Sequence, residues 1–318
     1  MLFLNKDTIQ KAGQGIIQTA VEQAYQLVLN KQYNMPDRMH VADSQNTLLL
    51  MPCFSEKFFA TKLVSVFPEA RLHGQAVVNG VMVLFNNISG QPLAIMDGAA
   101  VTAHRTGAVG GLGVKFLSSG SVSTAGIFGA GVQGISQARY LLFNRKIKTL
   151  YLCALHRESA IKMSRILKKE YPGVEYVIPD HPAQLIENSA VIIAATTSTA
   201  PLFQTSRDCI LGKTFISIGS FRPGMQEFPD TVIKNADDVF VDTMFAAKES
   251  GDIAIPLKNH VVKKEKIKEF AGLLENNNYS ENKTVLFKSV GMALFDLTVA
   301  SAIYEFALEQ NIGQTLDF

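Results

Sequence analysis

The 318-residue sequence predicts an α/β protein built in two parts. Three observations carry that prediction. A short apolar run leads into a glycine-spaced loop and out into a helix-like stretch in GIFGAGVQGISQARYLLF. Beyond it, strand-like runs at 149–155, 190–195, 214–218 and 238–241 alternate with helix-like or loop segments, which argues for a parallel sheet covered on both faces. Ahead of it, runs rich in Leu, Val and Phe at 47–51, 61–67 and 76–85 are broken by Pro52, Pro68 and the turn residues 86–90, as expected of a mixed sheet.

The helices follow from spacing. In IIQTAVEQAYQLVLN, residues Ile16, Ile17, Ala20, Val21, Ala24, Leu27 and Val28 fall on one face. Residues 97–117 are dense in Ala, Gly and Leu, which suits a tightly packed helix. Small polar residues at 118–123 read as a hinge. Near the end, Phe287, Val290, Leu294, Leu297, Ser301 and Tyr304 step by three and four and predict one helix over 286–309 that crosses back to the first part.

Composition narrows the function classes. With 47% hydrophobic and 18% charged residues the chain has the make-up of a globular protein with substantial cores. A net charge of +2, from 30 basic and 28 acidic residues, gives no field to steer nucleic acid or an anionic membrane, so a small-molecule partner is expected. Cys53, Cys153 and Cys209 match no metal-ligand spacing and read as reduced, buried thiols; no metal is expected. The start MLFLNKD places Lys6 and Asp7 where a signal peptide needs an apolar core, and no run reaches the roughly 18 apolar residues of a membrane span. The expected compartment is cytoplasmic.

Gly129, Gly131 and Gly134 have physical reasons for their spacing. The first permits a tight turn, the second lets a pyrophosphate approach the backbone, and the third lets helix and strand pack closely. With Ala130, Val132 and Gln133 they form a candidate dinucleotide loop at a helix N-terminus, whose dipole favours phosphate. A carboxylate for the adenosine ribose is expected about 20 residues on. Here the run is Ala154, Leu155, His156, Arg157, Glu158. The cationic His156 and Arg157 suit a 2′-phosphate, which favours NADP(H) over NAD(H), with Glu158 as the acid one register later in the other case.

Three cations stand beside apolar runs in the first part and read as lying at strand or helix ends: Arg38 in MPDRMHV, Lys62 in ATKLVSVFP and Arg105 in VTAHRTGAV. Arginine can clamp a carboxylate as a fork, and lysine can act as a point charge and proton donor. Partial burial of Lys62 between strands would lower its pKa toward the range of acid–base work. His104 points about 100° away from Arg105 on a helix and reads as a packing or surface residue. Asp97 reads as a helix N-cap or a partner for a cation.

The strings TKLVSVFPE, PLAIMDGAAVTAHRTGAVGGL, GIFGAGVQG, ISIGSFRPGMQEFP, AAKESGDI and TVLFKSVGMALFDL, in this order, resemble the ornithine cyclodeaminase and mu-crystallin family over nearly the whole chain. The resemblance implies a Rossmann domain, residues 118–294, inserted into an α+β substrate-binding and dimerisation domain of residues 1–117 and 295–318. It implies a homodimer with the active site in the cleft between the domains. It casts Lys62 and Arg105 as catalytic, Arg38, Lys62 and Arg105 as substrate-binding, and residues 129–134 as the dinucleotide loop; Thr106 and Thr196 are read as further cofactor-binding positions.

The family's chemistries are ornithine cyclisation with loss of ammonia, alanine dehydrogenation, cyclic imino acid reduction and an opine-like condensation. In the ornithine-cyclising members an aspartate sits where this chain has Phe221, and a second carboxylate falls where it has Leu49. Two acids replaced by apolar side chains make a poor pocket for a cationic ornithine tail. The resemblance is greater to the ketimine-reducing, mu-crystallin-like members. NAD(P)H-dependent reduction of a cyclic imino acid of the pyrroline-2-carboxylate or piperideine-2-carboxylate type is therefore the leading expectation. An ornithine cyclodeaminase, an alanine dehydrogenase-like enzyme and a non-catalytic NADP(H)-binding protein are the alternatives.

Overall fold

The computed structural model describes residues 1–276 and 282–317. The chain opens with β1 (Leu2–Leu4), α1 (Lys6–Lys11), α2 (Gly13–Asn30), β2 (Met39–Asp43), β3 (Asn46–Phe54), β4 (Phe58–Val66), β5 (Val78–Asn86), β6 (Pro92–Asp97) and α3 (Gly98–Leu117). There follow β7 (Thr124–Phe128), α4 (Val132–Asn144), β8 (Thr149–Cys153), α5 (Arg157–Glu170), β9 (Glu175–Val177), α6 (Pro182–Asn188), β10 (Val191–Ala194) and β11 (Thr214–Ser217). The chain continues through α7 (Asp230–Asn235), β12 (Asp238–Val241), α8 (Ala246–Glu249), α9 (Gly251–Lys258), β13 (Ile267–Glu269), α10 (Leu273–Asn276), β14 (Val285–Lys288), α11 (Ala293–Glu309) and β15 (Gln314–Thr315). These elements form two compact units, Met1–Arg105 with Met292–Phe318, and Thr106–Gly291. The dividing line falls inside α3, not at the polar stretch 118–123.

The first unit is a seven-stranded sheet in the order β15-β1-β6-β5-β4-β3-β2. β1 and β6 run parallel, and the meander from β2 to β6 is antiparallel. Alternation decides its faces. Met51, Cys53, Ala60, Lys62, Met82, Leu84, Ala94 and Met96 are buried on one face, because directly paired residues of neighbouring strands point the same way. α11 packs with α2 and with β4. The Tyr25 and Phe295 rings meet edge to face at 5.0 Å, a contact worth about 1 kcal/mol beyond its burial. α2 buries Ile17, Ala20, Val21 and Ala24 as its spacing predicts, and Tyr25 beside them, whereas Leu27 and Val28 are only half-buried and Ile16, expected on that face, is exposed.

The second unit is an eight-stranded, wholly parallel sheet in the order β13-β12-β14-β11-β10-β7-β8-β9. Its central strands β10, β11, β12 and β14 are buried at every residue, as parallel strands covered on both faces must be. Chain order reverses between β7 and β10, the switch point at which α/β sheets bind ligands beyond the strands' carboxyl ends.

The predicted final helix is too long. Residues 285–288 form β14, and the helix starts only at Ala293. Phe287 and Val290 fit a helical stripe by number, but a short apolar run fits a buried parallel strand equally well. Of the three thiols read as buried only Cys53 is; Cys153 and Cys209 are half-buried, and all three are free. No helix among the described residues is long and apolar enough to cross a membrane.

Candidate active site

Lys62, Arg105 and Asp296 meet inside the first unit. Lys62 lies in the middle of β4, opposite Met51 and Met82, and Arg105 lies within α3; neither stands at an element's end, the place expected of them, while Arg38 lies in the irregular stretch before β2. Lys62 Nζ donates to Asp296 Oδ2 at 2.7 Å and to Thr102 Oγ1 at 3.2 Å. Arg105 donates through Nε to Asp296 Oδ1 at 3.0 Å, a bond that does not use its two Nη groups. Lys62 is 2% exposed, Arg105 8% and Asp296 0%. Burying three ionised groups is tolerated only because they are paired and hydrogen-bonded.

Burial pulls the Lys62 amine down from its ordinary value to about 8; the Asp296 carboxylate opposes that, and the positive charges of Arg105 and Arg38 add to it. At neutral pH the amine is therefore protonated but readily gives its proton up, which is what a general acid requires. Burial alone would raise Asp296, but the charges and hydrogen bonds of Lys62 and Arg105 outweigh it and hold the carboxyl below its usual range. Three cations thus sense one another around Asp296, a concentration of positive groups suited to an anionic ligand. The neighbouring Cys53 thiol is pushed up to about 12 by burial, with Asp296's charge adding, so it is no nucleophile at neutral pH.

Leu49 is half-buried on β3 and shares the Lys62 face of the sheet, two residues from Met51. Asp97 caps α3, accepting the Ala100 amide at 2.9 Å. Asp296 was not foreseen from the sequence. Its one signal is a carboxylate in the otherwise uncharged run LFDLTVASAIY that opens α11.

In the second unit the glycine loop links β7 to α4. Gly129 has φ +103, which excludes an ordinary side chain, and a Cβ at Gly134 would overlap the Gly129 carbonyl. A Cβ at Gly131 would meet nothing, so this glycine faces open space. No side chain caps the first turn of α4. A phosphate-bearing dinucleotide fits this arrangement, since an uncapped helix N-terminus beside an open glycine backbone is an anion site. Ala130 and Gly131 continue the loop, Val132 is exposed, and Gln133 stands in the helix's first turn.

The other dinucleotide positions are spread over this unit. His156 occupies the N-cap position of α5. Arg157 donates to Pro179 O at 3.3 Å and pairs with Asp180 at 3.2 Å on the surface. Leu155 beside them is 95% exposed. Thr106 is buried and its carbonyl accepts Gln137 Nε2 at 2.8 Å. Thr196 follows β10 and gives both its amide and its hydroxyl to Glu227. Phe221, in the loop after β11, is 44% exposed with the Arg222 guanidinium over its ring at 5.4 Å.

The parallel sheet and glycine loop make the inserted unit a Rossmann fold, and the buried cation cluster makes the surrounding unit a candidate binder of an anionic small molecule. The chain belongs to the ornithine cyclodeaminase/mu-crystallin family, which matches residues 8–311. It is 32% identical over 284 residues to a Δ1-pyrroline-2-carboxylate reductase of Bacillus cereus, a match covering 87% of this chain and 86% of that one. The solved Δ1-pyrroline-2-carboxylate reductase of Thermococcus litoralis, in complex with NADH and L-proline, superimposes with a TM-score of 0.91 at 29% identity, over 99% of this chain and 100% of that one. An archaeal alanine dehydrogenase dimer with bound NAD matches with a TM-score of 0.90 at 25% identity, over 100% and 99% of the two chains.

Proposed function

We propose that this chain reduces a cyclic imino acid of the pyrroline-2-carboxylate or piperideine-2-carboxylate type to the cyclic amino acid, with a reduced nicotinamide dinucleotide. The observation that carries the reading is Lys62, protonated but close to its pKa, locked with Arg105 onto Asp296. The Nη groups of Arg105 and the guanidinium of Arg38 bind the substrate carboxylate. Lys62 Nζ donates to the ring nitrogen and holds it as an iminium, so that the carbon of the C=N bond becomes the electrophile. Asp296 keeps both cations in place and ionised. When bound, the reduced dinucleotide supplies the hydride that this carbon accepts. The substrate so gains one hydride at carbon and one proton at nitrogen, the latter restored to Lys62 from solvent.

Residues 129–134 and the start of α4 hold the dinucleotide's pyrophosphate. We read the cofactor as NADP(H), because the end of β8 is followed by His156 and Arg157, with no carboxylate before Glu158; the NADH and NAD of the two solved relatives favour NAD(H) as the alternative. The chain is read as a homodimer. Met39, Leu50, Leu63 and Val81 form an apolar row across the outer face of the first sheet, with Met39 and Val81 exposed, as a surface covered by a second copy would. Sedimentation of the purified chain reads the dimer directly.

Alanine dehydrogenation is the second reading, supported by the alanine dehydrogenase relative and by the small imine that pyruvate forms with ammonia. The deciding experiment mixes purified protein with NADPH or NADH and imino acids of five- and six-membered ring size while reduced-nicotinamide absorbance is followed. Imine-dependent oxidation supports the reductase and ranks cofactor and ring size. Oxidation only with pyruvate and ammonia favours the dehydrogenase. Ammonia release from ornithine with NAD, without imine reduction, overturns the proposal.

A further inference from the structure

Outside the lysine cluster the molecule buries a second set of ionisable groups, Glu227, Asp252 and Lys288, at the carboxyl ends of the parallel strands. Glu227 Oε1 accepts the Thr196 amide at 2.6 Å and the Thr196 hydroxyl at 2.8 Å. Its Oε2 accepts the amides of Gly219 at 2.7 Å and Ser220 at 3.1 Å. Ala194 and Ser217, the last residues of β10 and β11, are paired. One carboxylate thus ties together the turns that follow two adjacent strands.

The support beneath it is complete. Asp252 Oδ1 accepts the amides of Glu227 and Phe228 at 2.8 and 3.0 Å, and Asp252 Oδ2 accepts Ser217 Oγ at 2.6 Å. Lys288 Nζ donates to Ser217 Oγ at 3.0 Å. Close approach confirms how tightly the segments are held. A Cβ at Gly219 would overlap the backbone of Thr196, and one at Gly129 would meet the Ala195 carbonyl. The glycine loop, the turn after β10 and the turn after β11 therefore form one continuous layer.

This layer has two chemically different ends. At the start of α4 the amides have no side-chain cap and suit phosphate. At the other end five amides are already spent within the protein: Ala195 on Phe128 O, Thr196, Gly219 and Ser220 on Glu227, and Ile218 on Ala194 O. With these five used, the carbonyl oxygens and side chains of the two turns dominate what a ligand meets there, and they match a primary amide on a neutral or cationic ring. Accordingly we propose that Glu227 is a positioning residue that builds the nicotinamide half of the dinucleotide site, holding the turns after β10 and β11 so that they receive the carboxamide ring and place Phe221's loop beside it. The inference rests on the dinucleotide reading above.

Glu227→Gln separates this role from plain stabilisation. Three acidic side chains, Glu227, Asp252 and Asp242, face Lys288, so Lys288 keeps two acidic neighbours in the variant. The new amide nitrogen, however, must confront an N–H it cannot accept. Titration of the cofactor-free protein compares NADH with ADP-ribose, and NADPH with 2′-phospho-ADP-ribose, in wild type and variant. The expected result is that the adenosine fragments bind within about twofold of wild type while the extra affinity of the preferred dinucleotide over its fragment falls at least tenfold, about 1.4 kcal/mol. Amide hydrogen exchange at Thr196, Gly219 and Ser220 should accelerate in the absence of any ligand. Equal loss for fragment and dinucleotide, or no loss for either, overturns the positioning role. Wild-type protein that binds neither dinucleotide overturns the cofactor reading, and this inference with it. Should Glu227→Gln not fold, Thr196→Val removes the hydroxyl among the four hydrogen bonds that Glu227 accepts from Thr196, Gly219 and Ser220, and is expected to give the same split in smaller measure.

Discussion

Lys62 Nζ and Asp296 Oδ2 lie 2.7 Å apart, though 234 residues separate them in sequence. β4 brings one and α11 the other, and Arg105 of α3 closes the cluster on the second carboxylate oxygen. The consequences can be measured one at a time.

Lys62→Met keeps most of the side-chain volume and leaves Asp296 paired with Arg105. Imine turnover should fall by roughly 10²- to 10⁴-fold, the range for losing a positioned proton donor, with dinucleotide affinity within about threefold of wild type. Equal losses in both, measured by steady-state kinetics and direct titration, would remove Lys62 from the chemistry.

The pH profile follows from the same amine. Below about 8 Lys62 is protonated and can act as an acid; above it the proton is lost, so kcat/KM for the imine should decline through that pH. Asp296 raises the Lys62 pKa, so Asp296→Asn should move the alkaline limb to lower pH as well as lower the plateau. An alkaline limb that stays in place in the variant would show that another group sets it.

Gly131→Ala tests the phosphate site without touching the core. Its Cβ would enter open space, so the melting temperature should stay within about 2 °C, a shift well under 1 kcal/mol. Dinucleotide affinity should fall at least tenfold where the pyrophosphate must approach the backbone, about 1.4 kcal/mol. Unchanged affinity by calorimetric titration would place the cofactor elsewhere.

Phe221→Asp puts back the carboxylate of the ornithine-cyclising members at an exposed position. Leu49 leaves the second of the two acid positions apolar, so ammonia release from ornithine with NAD should remain at background. Appreciable release by this single variant would show that Phe221 alone separates the two chemistries.

Local patterns were enough for much of this molecule. The amphipathic spacing of α2, the apolar runs at 47–51, 61–67 and 76–85 and the strand–glycine–helix order at β7 and α4 are encoded within ten to twenty neighbouring residues; the runs fall in β3, β4 and β5, although β3 continues through Pro52, which was expected to break it. Lys62, Arg105 and the glycine loop stood out because charge beside apolar runs, and glycine at fixed spacing, are visible without knowing the fold. The boundary between β14 and α11 was not legible, since VLFK satisfies strand and helix patterns alike until its neighbours β11 and β12 are in place.

What the sequence determined by itself was the class of protein: two units, a parallel sheet with a dinucleotide loop, and a set of cations looking for an anion. Which carboxylate answers those cations was decided by tertiary structure alone. Asp296 and Glu227 carry no spacing signal, because their partners come from elements far apart in the chain or from turns whose course is set by the finished sheet. A buried charge has to be paired, but which partner pairs it depends on packing in three dimensions and not on sequence separation.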